Sequence, residues 1–163
     1  WTVDLGADVD GGPVIGDDGS IHVGTDAADV VKLDARGHIL WRTAVGGFVR
    51  GALSLARNGD VLAGTYGPAP RVVRLSPDGA VVGAFAVQGT GAREFGIHGG
   101  PLEDEDGVLY FGAQDDAVYA VGPDGALRWR FETGGDVDGP LSMLSDGSLI
   151  VPSEDGTVTL LLP

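Results

Sequence analysis

Residues 129–163 read WRFETGGDVDGPLSMLSDGSLIVPSEDGTVTLLLP, and residues 1–35 read WTVDLGADVDGGPVIGDDGSIHVGTDAADVVKLDA. Shifted by 128 positions, the two stretches align without a gap. Trp1, Gly6, Asp8, Val9, Asp10, Gly11, Asp18, Gly19, Ser20, Val23, Val30 and Leu33 recur identically. Differences such as Ile21 for Leu149, Thr25 for Ser153 and Asp26 for Glu154 are mild. A chain that returns to its own beginning is a repeat architecture, and the repeat has to be read before any single element.

Two more repeats lie between the matching ends. The turn Asp18-Gly19 has counterparts in Asn58-Gly59, Asp106-Gly107 and Asp146-Gly147. The residue after the following turn is Trp1, Trp41, Gly83 and Trp129 in succession, at spacings of 40, 42 and 46. That period suits a propeller blade of four antiparallel strands. The repeats are 1–40, 41–82, 83–128 and 129–163.

Each repeat reads alike. A short inner strand (12–16, 52–56, 100–104, 140–144) runs into an Asp-Gly or Asn-Gly turn, the strongest local hairpin signal. A second strand is expected at 20–25, 60–65, 108–113 and 148–153, and a third at 29–34, 72–76, 117–122 and 157–162. The turns DARG, SPDG and GPDG lead to a fourth strand at 38–45, 80–87 and 126–133. No stretch has a sustained helical period. The fold class is therefore all-β. Strands apolar on both faces favour blades packed face to face over a two-layer sandwich. The small residues Gly12, Ala52, Gly100 and Pro140 share one inner-strand position, where crowding about the axis is expected.

The glycine-proline-apolar inner strand, the "DGS" turn and the stretch AVYAVGPDGALRWRFETGG (117–135) resemble the repeat of PQQ-like, quinoprotein-type β-propellers. The resemblance covers all four repeats, the second least. It implies a propeller, and it leaves the activity open because propellers host many. The resemblance implies seven or eight blades for full-length relatives. Two arrangements fit: a closed four-blade ring, with residues 1–5 as the outer strand of the last blade, or half of a larger ring, with residues 1–5 belonging to a neighbouring blade and a homodimer as one way to complete it. An opening on Trp1 within a fourth strand is what a chain cut from a longer one would show.

Composition narrows the functions. Net charge is −14 with one lysine, Lys32, which disfavours nucleic acid and anionic membrane surfaces. The absence of cysteine rules out disulfides and thiolate metal sites. Apolar runs stop near strand length, short of the roughly 20 residues of a membrane helix.

One repeat column carries candidate chemistry. Asp10, Arg50, His98 and Asp138 occupy the same position, two residues before the small inner-strand residue. Alternation along the strand would aim them at the channel mouth. Such a ring could bind a small polar ligand, or a divalent metal through Asp10, His98 and Asp138; equally, it could be a solvated ring whose charges cancel. Glu103 stands where Ile15, Leu55 and Met143 stand elsewhere, so either burial raises its pKa or a bulge turns it outward. The insertion 88–96 places Arg93, Glu94 and Phe95 beside His98, where they could overhang a ligand. The shorter insertion at 66–70 reads as tolerated length. Asp-rich turns match neither a calcium loop, which needs a ligand ladder ending in glutamate, nor an Asp-box. Trp41 and Trp129 read as packing residues, and His22 as a packed histidine.

No catalytic arrangement emerges, and no metal site or cofactor is assigned. The expected function is a non-enzymatic propeller that scaffolds or binds a protein or peptide. The resemblance implies a periplasmic or extracellular setting, since assembly lipoproteins of the outer-membrane β-barrel machinery carry this repeat. The alternative is a small polar ligand- or sugar-binding module, or a hydrolase, acting at the channel mouth. A PQQ-dependent oxidoreductase fits less well, because those relatives use a vicinal cysteine pair and calcium ligands not found here. Ligand-binding candidates are Asp10, Arg50, His98, Asp138, Arg93, Phe95 and Glu103.

Overall fold

The computed structural model describes residues 1–88 and 95–163. The described residues form fifteen strands in four antiparallel sheets, in sequence order. The first blade comprises β1 (Val14–Ile15), β2 (Ile21–Thr25), β3 (Asp29–Leu33) and β4 (Ile39–Ala44). The second comprises β5 (Ser54–Leu55), β6 (Val61–Gly64), β7 (Arg71–Leu75) and β8 (Val81–Ala86). The third comprises β9 (Leu102–Glu103), β10 (Leu109–Ala113), β11 (Ala117–Val121) and β12 (Leu127–Glu132). The fourth has three strands: β13 (Ser142–Met143), β14 (Leu149–Pro152) and β15 (Val158–Leu161). This is the four-repeat β-propeller architecture expected from the sequence.

The first hairpin of every blade closes through a glycine in the left-handed region. Gly19, Gly59, Gly107 and Gly147 have φ between +77° and +86°, which side-chain-bearing residues adopt at a cost. In three blades the aspartate or asparagine before the glycine accepts an amide hydrogen bond two residues on, as from Ser20 to Asp18 at 2.9 Å; in the third, Asp104 accepts from the Val108 amide at 2.8 Å instead.

The middle strands are buried on both faces: every residue of β3 and β11 is buried, whereas β4 and β8 alternate toward solvent. Apolar clusters fill the joints between blades. Val30, Val45, Val49, Leu53 and Val73 fill the first joint; Leu62, Val72, Ile97, Phe111 and Tyr119 the second; and Val118, Val137, Leu141 and Val151 the third.

The inner strands differ from expectation. Their ladders are two residues long, and the tightest crowding falls one residue earlier than the Gly12/Ala52/Gly100/Pro140 column. A Cβ on Gly11 would lie 2.2 Å from the Gly51 carbonyl oxygen, and one on Gly51 would lie 1.9 Å from that of His98. Nothing lies within 4 Å of a Cβ on Gly12. From the second blade on, the lead-in backbone before the inner strand is tied to the preceding blade.

Those lead-in segments thread between blades. The Val49 amide donates to the Thr25 carbonyl of the blade before, at 3.1 Å, and Phe48 exchanges hydrogen bonds with Tyr66 of the blade it enters. Ile97 to Thr65 and Val137 to Ala113 repeat the backward bond at 3.2 Å each. Residues 1–5 lie against the first blade. Val3 and Leu5 pack on Val23, Val31 and Leu33, and Arg42 donates to the Leu5 carbonyl at 2.8 Å. The Trp1 ring covers Gly37 as the Trp41 ring covers Gly79, and each indole N–H donates to a turn carbonyl, at 3.1 Å to Ala35 and 2.9 Å to Pro77. Among the described residues β15 has no outer partner.

Candidate functional site

The column Asp10, Arg50, His98 and Asp138 lies on the lead-in segments, at the end where the second strand of each blade runs into the third. Each member from the second blade on meets the residue just past the second strand of the preceding blade. The Arg50 guanidinium grips both Asp26 oxygens, with Nε at 3.1 Å from each and Nη2 at 2.8 Å from Oδ2. The His98 ring lies 5.7 Å from the Tyr66 ring, centroid to centroid. Gln114 donates to Asp138 at 3.1 Å. Asp10, exposed at the near end, reaches only to 4.0 Å from Arg50.

Sequence reading missed the partners Asp26, Tyr66 and Gln114. With Glu154 they form a column of their own, sixteen residues after the first in every repeat. Tyr66 is not mere added loop length. Its ring centroid lies 5.8 Å from the Arg50 guanidinium and 5.7 Å from that of His98, so it links two candidate residues. Burial, then the nearby Asp138 carboxylate, raises the Tyr66 pKa.

Carboxylates gather at the fourth blade. Asp136, Asp138 and Glu154 bring ligating oxygens within 4.8 Å of one another, near enough to share a cation. The described residues hold no comparable group of Asp10, His98 and Asp138. Burial, followed by the charges of Asp138, Asp116 and Glu154, pushes the Asp136 carboxyl up to about 6. The same triplet in the first blade is Asp8, Asp10 and Asp26, and there the Arg50 guanidinium supplies the positive charge.

Of the two placements expected for Glu103 the structure has the buried one, whereas Phe95 departs from its expected place. Glu103 is neither turned outward nor unpaired. Its side chain is 8% exposed and forms an ion pair with Arg74 of the second blade, which also binds Asp60 at 2.6 Å. Phe95 does not overhang the mouth; it is buried, and its carbonyl accepts from the Gly67 amide at 2.8 Å. Arg93 and Glu94 lie outside the described residues. His22 is buried beside Trp41, ring centroids 5.8 Å apart, and burial lowers its pKa.

A cleft of about 270 Å³ opens where the tryptophan column is broken. It runs between Gly83 and Phe85 of the second blade and the Gly122–Gly125 turn of the third. Gly79 in the preceding joint lies under the Trp41 ring, whereas nothing lies within 4 Å of a Cβ on Gly125.

The family model described as outer membrane protein assembly factor BamB matches residues 1–67 and 68–161. The chain belongs to that PQQ-like propeller family. No curated protein matches it. Among solved structures, BamB from Moraxella catarrhalis is similar with a TM-score of 0.80 and 21% identity, over 98% of this chain and 51% of that one. The computationally designed Ika4 protein gives 0.74 and 15%, over 98% and 93%. The WD40 β-propeller domain of Doa1 gives 0.72 and 14%, over 90% and 48%. The chain thus spans about half the length of the BamB and Doa1 structures. At these identities the likeness shows a shared propeller fold, within which the BamB-type family places this chain.

Proposed function

We propose that this BamB-type propeller is a non-enzymatic scaffold that binds a protein or peptide partner through its acidic end. The observation that carries the reading is the crowding of carboxylates at Asp136, whose oxygens lie within 4.8 Å of those of Asp138 and Glu154. Asp116, Asp138 and Glu154 surround it on the loops of the third and fourth blades. Such a field attracts a cationic segment and repels an acidic one. The charged groups most suggestive of chemistry are spent between blades, Arg50 on Asp26 and Glu103 on Arg74, which favours binding over catalysis. Family membership supports a bacterial periplasmic setting and a role in assembling other proteins.

Fluorescence anisotropy with labelled Lys/Arg-rich and Asp/Glu-rich peptides tests this. The basic peptide should bind, weaken as salt rises, and be lost in Asp136→Asn/Asp138→Asn/Glu154→Gln. Equal binding of both peptides, or binding indifferent to the triple substitution, would sink the reading.

A second reading rests on a different observation. Arg50, Tyr66 and the exposed His98 present donors and aromatic faces at one place, as a small polar ligand or sugar would require. His98→Ala, at an exposed residue, would then weaken binding of that ligand with little change in Tm.

A further inference from the structure

Three blades make the turn between their third and fourth strands in one way. In residues 34–37, 76–79 and 122–125 the amide of the last glycine donates to the carbonyl three residues back, at 3.0, 2.8 and 2.8 Å. Gly37, Gly79 and Gly125 all lie in the left-handed region, at φ +86°, +85° and +77°. Ser76-Pro77-Asp78-Gly79 and Gly122-Pro123-Asp124-Gly125 differ only at the first position.

Two of these turns hold an indole. Trp1 lies over Gly37 and Trp41 over Gly79, each with a ring atom 2.7 Å from where a Cβ would stand. Each indole N–H donates to the carbonyl of the second turn residue, Ala35 or Pro77. Thr43, two residues along the strand from Trp41, adds a hydroxyl bond to the Gly79 carbonyl at 2.6 Å. The chain itself thus shows what this turn receives: an aromatic ring over the glycine, and donors to two carbonyls.

The third turn has the same acceptors without the donors. Gly83 stands in the place of Trp41, and Phe85 in that of Thr43. Phe85 has no polar group, and its ring is turned into the joint, 6.0 Å from Phe111 and 6.2 Å from Tyr119. Among the described residues nothing lies within 4 Å of a Cβ on Gly125, and no group donates to the carbonyls of Pro123 and Gly125. The cleft of about 270 Å³ beside them is walled by Val72, Leu109, Val121 and Arg74. Drug-sized ligands take pockets of about 300–1,000 Å³, so a cleft of this size suits one large side chain. Arg74 is the cross-strand partner of Gly83, as Lys32 is of Trp41, and Asp60 and Glu103 hold its guanidinium in place. A cation fixed beside the cleft favours the electron-rich face of an aromatic ring.

We propose that the cleft between Gly83 and Gly125 binds the indole of a tryptophan carried by a partner polypeptide. Its N–H donates to the Pro123 carbonyl, and its ring lies against Gly125 and Arg74. A polypeptide is assigned rather than a free indole because the Gly125 carbonyl requires a second donor near the ring, the part that Thr43 plays beside Trp41. The site is internal to the joint of the second and third blades and independent of the acidic-end reading.

NMR titration of the ¹⁵N-labelled chain with the uncharged peptide N-acetyl-Trp-Ala-Thr-amide tests the proposal. Saturable shifts should centre on the Gly83 and Gly125 amides. The same peptide made with N1-methyltryptophan keeps the ring and loses the donor, so it should bind about fivefold more weakly. Free indole lacks the second donor and should also bind about fivefold more weakly than the parent peptide. Two variants block the cleft by different means. Gly83→Trp seats the chain's own indole, and Gly125→Asn, at a φ that asparagine tolerates, sets a side chain over the turn. Each should remove the shifts while its spectrum shows the fold retained, and one folded variant suffices to decide. Shifts that persist in a folded variant, no saturation at Gly83 and Gly125, or equal affinity for the methylated peptide or for free indole overturns the proposal.

Discussion

Arg74 of the second blade forms an ion pair with Glu103 of the third, and both side chains lie largely out of solvent. The same guanidinium holds Asp60 of its own sheet. Removing the cation strands two carboxylates in a joint, whereas removing charge from both sides of the pair leaves fewer. Arg74→Leu should destabilise by about 3 kcal/mol, and adding Glu103→Leu should restore part of the loss. Urea midpoints of the single and double variants measure the coupling.

The vacant place in the tryptophan column leads to a gain. Trp41 shows where an indole sits in the first joint, over Gly79 with its N–H on a turn carbonyl. Gly83→Trp would lay a ring over Gly125 in the matching cleft. Burying part of an aromatic side chain there should stabilise by about 1 kcal/mol, or roughly 2–4 °C in Tm. Calorimetry settles the sign.

A second-strand glycine that meets a lead-in side chain should tolerate nothing. Gly24→Ala sets a methyl 2.2 Å from a Val49 methyl, with β2 backbone on one side and a buried valine on the other. A loss of about 2 kcal/mol or more is expected. Gly12→Ala, with open space around its Cβ, should cost far less. The pair of Tm values separates crowding from any general cost of losing glycine.

Asp136 gives stability a pH dependence of definite sign. Its folded pKa of about 6 exceeds the ordinary 3.8, so the folded state holds the proton more tightly than the unfolded chain. That contribution is complete below pH 3.8 and is lost as pH rises through 6. Asp136→Asn should therefore be more stable than the parent at pH 7, by about 1 kcal/mol once solvent screening is allowed for. The advantage should shrink to nothing below pH 4. Unfolding curves across that range show whether the two lines converge.

Much of the fold was legible because one turn chemistry recurs. Asp18-Gly19 and its three counterparts fix the hairpins, and each predicted second and third strand lies within about two residues of the observed one. The inner strands were misjudged because their sequence looks extended while their hydrogen bonds go to neighbouring blades. The site was half legible. The column Asp10, Arg50, His98 and Asp138 stands out in the alignment, but a single repeat cannot reveal that each member answers to a residue of the blade before. Asp26, Tyr66, Gln114 and Glu154 share no chemistry as a column, so nothing marked them until the joints were seen. Burial of Glu103 was one of two placements left open for a related reason: its partner, Arg74, comes from another repeat.

The backbone bonds of the lead-in segments bear on how freely such a chain can vary. Phe48 is tied forward to Tyr66, and Val49, its neighbour, backward to Thr25. One peptide plane thus belongs mechanically to two blades, and no side chain is needed for the tie. Outer strands can trade tryptophan for glycine without parting the blades, because the hinge pin between them is main chain at the rim of the axis.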